Sequence, residues 1–232
     1  MTSTLGCIRV PRLPIGETLR AAAALFRAAT PRLLTSALPA IAIAEVISLS
    51  SGSVRTLTSF LLDTIAWLLA IWASAFSLWV MLQLHGSRSF APLSSVKFLL
   101  FALVYGYLSL TTSLSALLLV LPALFVLATT LLAPAFAITE NQGPIEAIVS
   151  SVSCVKGNIT RFTIFAVVVW LALVVGAILV ALAMQRFELK SQVLEFFASV
   201  TFGYLSLYFY AVVAVLFHRL HPNPSVNTDA AR

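Results

Sequence analysis

The longest apolar stretch of the chain covers residues 98–139, which contain no Asp, Glu, Lys or Arg. At about 1.5 Å per residue, a helix of this length would be about twice as long as the hydrocarbon core of a bilayer is thick. Pro, Ser and Thr interrupt the stretch between Ser113 and Pro122, as is typical of a turn. The pattern therefore predicts two membrane-spanning helices joined by a tight connection.

Four further stretches poor in charge predict spans of their own, at about residues 33–49, 57–84, 162–184 and 193–217. Glu45 interrupts the first of these stretches and Asp63 the second. Each stretch is about long enough to cross a bilayer with some tilt. The expected fold is all-α: a polytopic membrane helix bundle of about six transmembrane helices, forming a single domain over residues 1–232.

Two segments outside these spans place apolar and polar residues on opposite faces of a helix. The apolar positions are Ile15, Leu19, Ala22 and Phe26 in the first segment, and Ile145, Ile148, Val149, Val152 and Val155 in the second. Each segment predicts an amphipathic helix that lies on the cytoplasmic surface of the membrane, just before a span. In the second segment, Asn141 is predicted to cap the helix and Pro144 to stand in its first turn.

The two amphipathic segments belong to an internal repeat with an offset of 129 residues. The offset pairs Glu17 with Glu146, Leu19 with Ile148, Phe26 with Val155, Arg27 with Lys156, and Arg32 with Arg161. The same offset aligns the first two predicted spans with the last two, and the aligned spans cross the membrane in the same direction. The repeat is therefore predicted to be parallel, with units of about residues 15–84 and 144–217, unlike the inverted repeats of many secondary transporters.

The composition agrees with a membrane protein, since 60% of the residues are hydrophobic, 9% are charged and the mean hydropathy is +1.03. In a soluble protein a net charge of +6 would suggest nucleic acid as a partner. Here the predicted topology places only Arg55, Arg186 and Lys190 on one side and the other basic residues opposite. Because basic residues of membrane proteins are concentrated on the cytoplasmic side, both termini are predicted to be cytoplasmic. The basic residues are accounted for in this way, so no nucleic acid partner is expected.

The two cysteines, Cys7 and Cys154, fall on the predicted cytoplasmic side. Disulfides are rare in that compartment, so we expect a reduced pair with no structural role. Frequent Ala and Leu and the short connections are typical of the bacterial inner membrane, which is the expected location.

Carboxylates inside spans are the sharpest chemical signal, because an ionised carboxylate in hydrocarbon costs a few kcal/mol unless it is paired, protonated or facing water. The candidate intramembrane polar site consists of Glu45, Asp63, Arg55 and Glu195. One interpretation is an outward-facing polar cavity that binds a cation or relays a proton. The other is a set of boundary ion pairs that fixes the external ends of the bundle.

A second candidate surface surrounds the amphipathic segments and contains Arg20, Arg27, Arg32, Glu146, Lys156, Asn158 and Arg161. Basic side chains next to a membrane attract anionic lipid head groups. The functional interpretation is recognition of anionic lipid or of a protein partner. The alternative is a collar of charge that only orients the protein in the membrane.

Residues 134–150, PAFAITENQGPIEAIVS, and the following Val155-Lys156-Gly157-Asn158 resemble the signature of a broad group of six-span bacterial membrane proteins. That group includes the membrane domain attached to some glycerophosphodiester phosphodiesterases and stand-alone YciC-like proteins. The resemblance is sharp over about twenty-five residues and otherwise rests on the number of spans and the amphipathic lead-in. It implies a six-span fold but no activity, because the phosphodiesterase chemistry belongs to a separate soluble domain.

No catalytic or metal-binding pattern is evident, because the three histidines, His85, His218 and His221, form no helical pair of ligands. We therefore expect no enzyme activity and no cofactor. The predicted role is that of a non-catalytic envelope protein with an accessory, lipid-binding or partner-binding function. Its expected partners are the lipid bilayer with its anionic head groups, and either another membrane protein or a second copy of the chain. The alternative is a small permease, or an immunity-type exporter of an amphipathic molecule, working through the intramembrane carboxylates.

Overall fold

The computed structural model describes residues 14–50, 56–86, 92–118, 120–186 and 192–220. Within these ranges the regular secondary structure is entirely helical, which confirms the predicted all-α class. The helices are α1 (Ile15–Thr35), α2 (Ala37–Ser50), α3 (Leu57–His85), α4 (Ser95–Leu118), α5 (Val120–Thr130), α6 (Ala133–Glu140), α7 (Pro144–Val155), α8 (Ile159–Arg186), α9 (Gln192–Ser206) and α10 (Tyr208–Leu220). A single 3₁₀ turn, Lys156–Asn158, joins α7 to α8.

Two stretches of the described chain are long and apolar enough to cross a membrane, namely Leu57–His85 and Phe196–Leu220. The first is α3, and the second combines most of α9 with α10. A third is added if α1 and α2 are counted as one bent span. The structure thus supports membrane-capable helices at two or three places, and it does not support the count of six that the sequence predicts.

Proline explains the bend of 57° between α1 and α2. Pro39 has no N–H to donate to the carbonyl of Thr35, and its ring would clash with that carbonyl in a continuous helix. The chain therefore turns at Ser36. The break leaves the amphipathic helix α1 and the apolar helix α2 with different directions.

A second proline, Pro134, divides the second half of the apolar stretch 98–139 into two helices, α5 and α6. Pro134 cannot donate to the carbonyl of Thr130, and the chain turns at Leu131 and Leu132. Both turn residues are buried, so their backbone groups are shielded from water. Ser151 of α7 supplies the missing partner: its Oγ accepts a hydrogen bond from the Leu132 N–H at 3.1 Å and donates one to the Thr129 carbonyl at 2.8 Å.

Asn141 has a different role from the one that the sequence suggests. It ends α6 with a positive φ of 54°, a left-handed conformation that asparagine tolerates at helix C-termini. The extended residue before α7 is Gly143, and Pro144 occupies the start of α7 as predicted. The predicted N-terminal cap at Asn141 is therefore wrong, because the connection places this residue on the preceding helix.

The helices form two groups. In the first group α1, α3 and α10 pack against one another, with α2 against α3 and α9. In the second group α4, α5, α6, α7 and α8 pack together. Contacts of α3 with α4, of α8 with α9, and of α6 with both α3 and α10 join the two groups.

Burial is concentrated at one end of the bundle. We call this the packed end, where the first turn of α1, the starts of α4 and α8, and the last turns of α3 and α10 lie. On α3, for example, every residue from Ile71 to Leu82 is buried or half-buried, whereas Leu57, Phe60, Leu61 and Ile65 are uncovered. On α8, Phe162 and Phe165 are buried, whereas Leu171, Val175 and Leu182 are exposed. The opposite end, the open end, presents large apolar side chains that the protein does not cover.

The two predicted repeat units bury equivalent positions. The offset of 129 residues pairs Thr18 with Ala147, Ala22 with Ser151, Leu25 with Cys154, Ala29 with Asn158, and Leu33 with Phe162, and all ten residues are buried. The division of the chain into two repeat units stays a prediction. The shared burial pattern is what such a repeat would produce.

Candidate functional site

Helix α7 presents three different faces. Ala147, Ser151 and Cys154 point into the protein, against α4, α5 and α6. An apolar stripe, formed by Ile145, Val149 and Val152, is 78%, 62% and 38% exposed. A polar face carries Glu146, Ser150 and Ser153. Three small residues and Val155 therefore face the core of the protein, whereas Ile145, Val149 and Val152 face outward.

Helix α1 presents only two faces, although the sequence predicts the same design for both amphipathic helices. Its inner face, Thr18, Ala22, Leu25, Ala29 and Leu33, is buried. Its outer face carries the exposed Glu17, Arg20 and Arg27. Ile15, Leu19 and Phe26 are partly buried and pack against the core. The predicted apolar face of α1 is thus covered by protein.

Polar and aromatic contacts fasten α1 to α9 and α10. The Tyr208 hydroxyl donates to the Leu19 carbonyl at 2.8 Å, and the ring of Phe26 lies 5.9 Å from that of Tyr208. Nη1 of Arg219 donates to Oγ1 of Thr18 at 3.1 Å. These contacts join the beginning of the described chain to its end.

A small cleft lies between α1, α8 and α10 at the packed end. Its lining residues are Ile15, Arg161, Phe162, Phe165 and Leu216, and it is partly open to the outside. Thr18 lies about one helical turn after Ile15 on α1, and Arg219 lies about one turn after Leu216 on α10, so both are next to the cleft. Because Arg219 bonds to Thr18, two guanidinium groups, Arg161 and Arg219, flank the first turn of α1. We call this feature the α1–α8 cleft.

The remaining residues of the predicted lipid or partner surface differ in accessibility. Arg20, Arg27, Arg32, Glu146 and Lys156 are exposed. Asn158 is buried, because the 3₁₀ turn directs it into the protein, so its predicted place on an exposed surface is wrong. Arg161 is half-buried in the wall of the cleft. The exposed basic residues of this surface are thus Arg20, Arg27, Arg32 and Lys156.

The two carboxylates within predicted spans lie on neighbouring helices, since α2 and α3 pack closely. Glu45 is half-buried on α2, whereas Asp63 is exposed on α3 between the uncovered Leu61 and Ile65. In the described ranges, neither carboxylate has a hydrogen bond or an ion pair. Of their predicted companions, Arg55 and the side chain of Glu195 lie outside what the structure describes.

Two histidines meet at the packed end, in the last turns of α3 and α10. The rings of His85 and His218 contact edge to face with centroids 5.1 Å apart. Nδ1 of His218 lies 3.0 Å from the Ala214 carbonyl. Among the described residues there is no group of three or more His, Cys, Asp or Glu side chains that could hold a metal ion, and His221 lies outside them.

The structure contradicts the prediction that Cys154 is a reduced thiol. Its side chain is buried and disulfide-bonded, so the predicted reduced pair is wrong. The prediction used the expected compartment, which says nothing about where the sulfur atoms lie in the fold. Cys7 is outside the described residues.

Ser151 is the residue that sequence analysis missed most clearly. A usable signal was present: Pro134 inside an apolar stretch leaves buried backbone groups without helical partners, and such groups need a polar side chain nearby. The sequence could not show that this side chain comes from α7. The same side chain gives both the Leu132 N–H and the Thr129 carbonyl a partner within the protein.

No protein family, curated protein or solved structure matches this chain. The resemblance of residues 134–158 to the six-span bacterial group therefore stays a prediction.

Proposed function

We propose that the protein is a non-catalytic, multi-pass protein of the bacterial inner membrane whose packed end binds the anionic lipid surface of the cytoplasmic leaflet. The proposed topology has six crossings, made by α2, α3, α4, the pair α5 and α6, α8, and the pair α9 and α10, with both termini cytoplasmic. The observation that carries the proposal is the three-faced surface of α7. The resemblance to six-span membrane proteins is in keeping with this topology.

A helix at a membrane interface has three neighbours: the rest of the protein, the lipid and the water. The three faces of α7 correspond to them, with Ser151 facing the protein, Val149 facing lipid and Glu146 facing water. Lys156 follows Val152 by four residues and therefore continues the apolar stripe. A lysine in that place can lay its aliphatic stem on the apolar surface and extend its ammonium to the head groups.

Charge on α1 supports the same proposal. Arg20 is exposed in the second turn of α1, close to the bond between Thr18 and Arg219 at the packed end. Each basic residue near an anionic membrane surface contributes about 1 kcal/mol of attraction. An apolar stripe on α7 with basic groups on both helices is the combination that selects anionic over zwitterionic lipid.

The first test removes one basic residue from each repeat copy. The double variant Arg20→Ala/Lys156→Ala should bind phosphatidylglycerol about thirtyfold more weakly than the wild type, because two contributions of about 1 kcal/mol are lost. The measurement is a titration of the detergent-purified protein with fluorescent phosphatidylglycerol, with phosphatidylcholine as the zwitterionic reference.

The matched comparison changes the acidic residues at equivalent repeat positions. Glu17→Gln/Glu146→Gln removes two exposed negative charges and should tighten phosphatidylglycerol binding. Unchanged affinity in the double basic variant would contradict the proposed function, because the charges at the packed end would then contribute nothing to lipid recognition.

A second candidate function, a small permease for a cation or proton, is favoured by the two carboxylates on α2 and α3. Glu45 and Asp63 have no partner within the described chain, and a carboxylate at membrane depth needs water, a proton or a cation.

If the protein is a permease, Glu45→Gln and Asp63→Asn should each lower proton or cation flux at least tenfold. Flux is measured in liposomes that contain a pH-sensitive dye, under an imposed gradient. Glu17→Gln, on the exposed side of α1, is the matched control, and equal flux in wild type and both variants would remove this candidate.

A further inference from the structure

We propose that His85 and Arg219 together bind the phosphate of one anionic lipid head group, and that His85 takes up a proton when the lipid binds. This inference rests on the proposed function, because it names a contact at the same end of the molecule. It goes beyond that function in one respect: acid should strengthen the binding of anionic lipid.

His85 and His218 form a contact that joins the last turns of α3 and α10. Their rings meet edge to face with centroids 5.1 Å apart. Nδ1 of His218 lies 3.0 Å from the Ala214 carbonyl. A Cβ at position 86 would overlap Nε2 of the same ring, so Gly86 leaves the space that the ring occupies. His218 is thus held in place, whereas His85 is exposed.

Arg219 brings a second basic group to the same place. It follows His218 on α10, is half-buried, and donates from Nη1 to Oγ1 of Thr18 at 3.1 Å. In the part of the chain that the structure describes, Arg219 makes no ion pair and His85 makes no hydrogen bond. Arginine binds phosphate through paired N–H donors. A half-buried guanidinium without a counter-charge, near an exposed imidazole, favours an anion as the partner of both.

The contact between the two histidines couples this anion to a proton. Two imidazolium rings in edge-to-face contact would repel each other, and Arg219 also acts electrostatically on His85. Histidine ordinarily changes its charge between about pH 8 and pH 5. An anion beside His85 and Arg219 offsets the repulsion and therefore favours protonation of His85. By linkage, protonation favours binding of the anion to the same extent.

The helices that surround these last turns carry further charged side chains near the packed end, namely Glu17, Arg20, Lys97, Glu140 and Arg161. None of them is among the described groups that act electrostatically on His85, which are His218 and Arg219. Within the described ranges, no carboxylate therefore compensates a proton on His85. The compensating charge has to come from a bound anion.

The position of the two basic groups along their helices favours a lipid over a soluble phosphate. His85 is the last residue of α3, and Arg219 is the last residue but one of α10. Both belong to stretches that are long and apolar enough to cross a membrane. If these stretches cross as proposed, both side chains lie at the level of the head groups. A lipid phosphate reaches that level without leaving the bilayer.

The test is a titration of the detergent-purified, full-length protein with fluorescent phosphatidylglycerol at about pH 8 and about pH 5.5. The ionic strength is kept constant, and phosphatidylglycerol keeps its negative charge over this range. We expect about fivefold tighter binding at the lower pH, which is the effect of one added basic charge. Calorimetry in two buffers with different heats of ionisation should show that a proton is taken up with the lipid.

Three substitutions separate the parts of the site. His85→Gln cannot take up the proton and should bind with the same, weaker affinity at both pH values. His85→Arg carries a permanent charge and should bind tightly at both. Arg219→Gln should weaken binding about fivefold at both. The melting temperature without lipid shows whether each variant is folded.

His221→Gln is the matched control, because it changes a histidine close in sequence that lies outside the described residues. It should keep the pH dependence of the wild type. Loss of the dependence in this variant alone would overturn the proposal. Equal pH dependence in wild type and His85→Gln would also overturn it.

Inorganic phosphate serves as the competitor. We expect the lipid to stay bound in a molar excess of phosphate, and displacement would overturn the assignment to a lipid head group. The outcome is separable from that of the proposed function. Weaker phosphatidylglycerol binding in Arg20→Ala/Lys156→Ala, together with pH-independent binding by the wild type, would leave the surface function standing and remove the proton-linked site.

Discussion

Replacing Ser151 by alanine should lower the free energy of unfolding by about 2–4 kcal/mol. The hydroxyl of Ser151 serves two backbone groups at the break between α5 and α6, the Leu132 N–H at 3.1 Å and the Thr129 carbonyl at 2.8 Å. Ser151 and both turn residues, Leu131 and Leu132, are buried, so water cannot replace the hydroxyl. Each buried polar group left without a partner costs about 1–3 kcal/mol.

The measurement is reversible unfolding in mixed micelles with an increasing fraction of denaturing detergent, followed by circular dichroism. Ser153→Ala is the matched control, two residues away on the same helix. Its hydroxyl is exposed and donates only to the Ser150 carbonyl, so its loss should change stability by less than about 0.5 kcal/mol. Equal effects of the two substitutions would show that the break is held together by other contacts.

The second large effect is expected from Leu78→Ala on α3, at about 2–5 kcal/mol of lost stability. Leu78 is 0% exposed and lies at the packed end, and removing a buried leucine leaves a cavity that the surroundings fill only in part. Leu61→Ala makes the same chemical change on the same helix. Leu61 is 53% exposed at the open end, so its loss should cost less than about 1 kcal/mol, because no closed cavity forms.

Both α3 variants are measured in the same unfolding assay. A large loss from Leu78→Ala with a small one from Leu61→Ala would agree with a core confined to the packed end. Similar losses from both would mean that the open half of α3 is covered in solution. A second copy of the chain or another membrane protein would then be the covering partner.

Local sequence signals were sufficient for part of this fold. The apolar stretches gave the helical class, and Pro144 marked the start of α7. The offset of 129 residues, found from charged and apolar matches, also relates positions that are buried in both copies, such as Leu33 and Phe162. These features depend on residues close together in the chain or on a pattern that occurs twice.

Features that depend on contacts between residues far apart in the chain could not be predicted from the sequence. The inner face of α1 includes Thr18, although a polar residue is expected to face outward; its hydroxyl bonds to the Pro14 carbonyl and accepts a bond from Arg219. Asn141 was misassigned because asparagine is common both at helix N-caps and at left-handed C-termini. Only the three-dimensional path of the connection distinguishes the two.

The candidate site shows the same limit. The sequence identified Arg161 as a basic residue next to a span, but its place in a cleft depends on how α1 and α10 pack against α8. It identified Glu45 and Asp63 as a pair within one hairpin, and α2 and α3 do pack together. It could not predict that Asp63 would be exposed and Glu45 half-buried, because those exposures depend on the neighbouring helices.

The contacts that hold α1 have a consequence for synthesis. Its partners Tyr208 and Arg219 come 189 and 201 residues after Leu19 and Thr18. At 5–20 residues per second, the ribosome needs roughly 10–40 s to produce that length of chain. During this time α1 has been made but cannot yet dock against α10. Helix α1 therefore reaches its final place only when the last segment of the chain has been made.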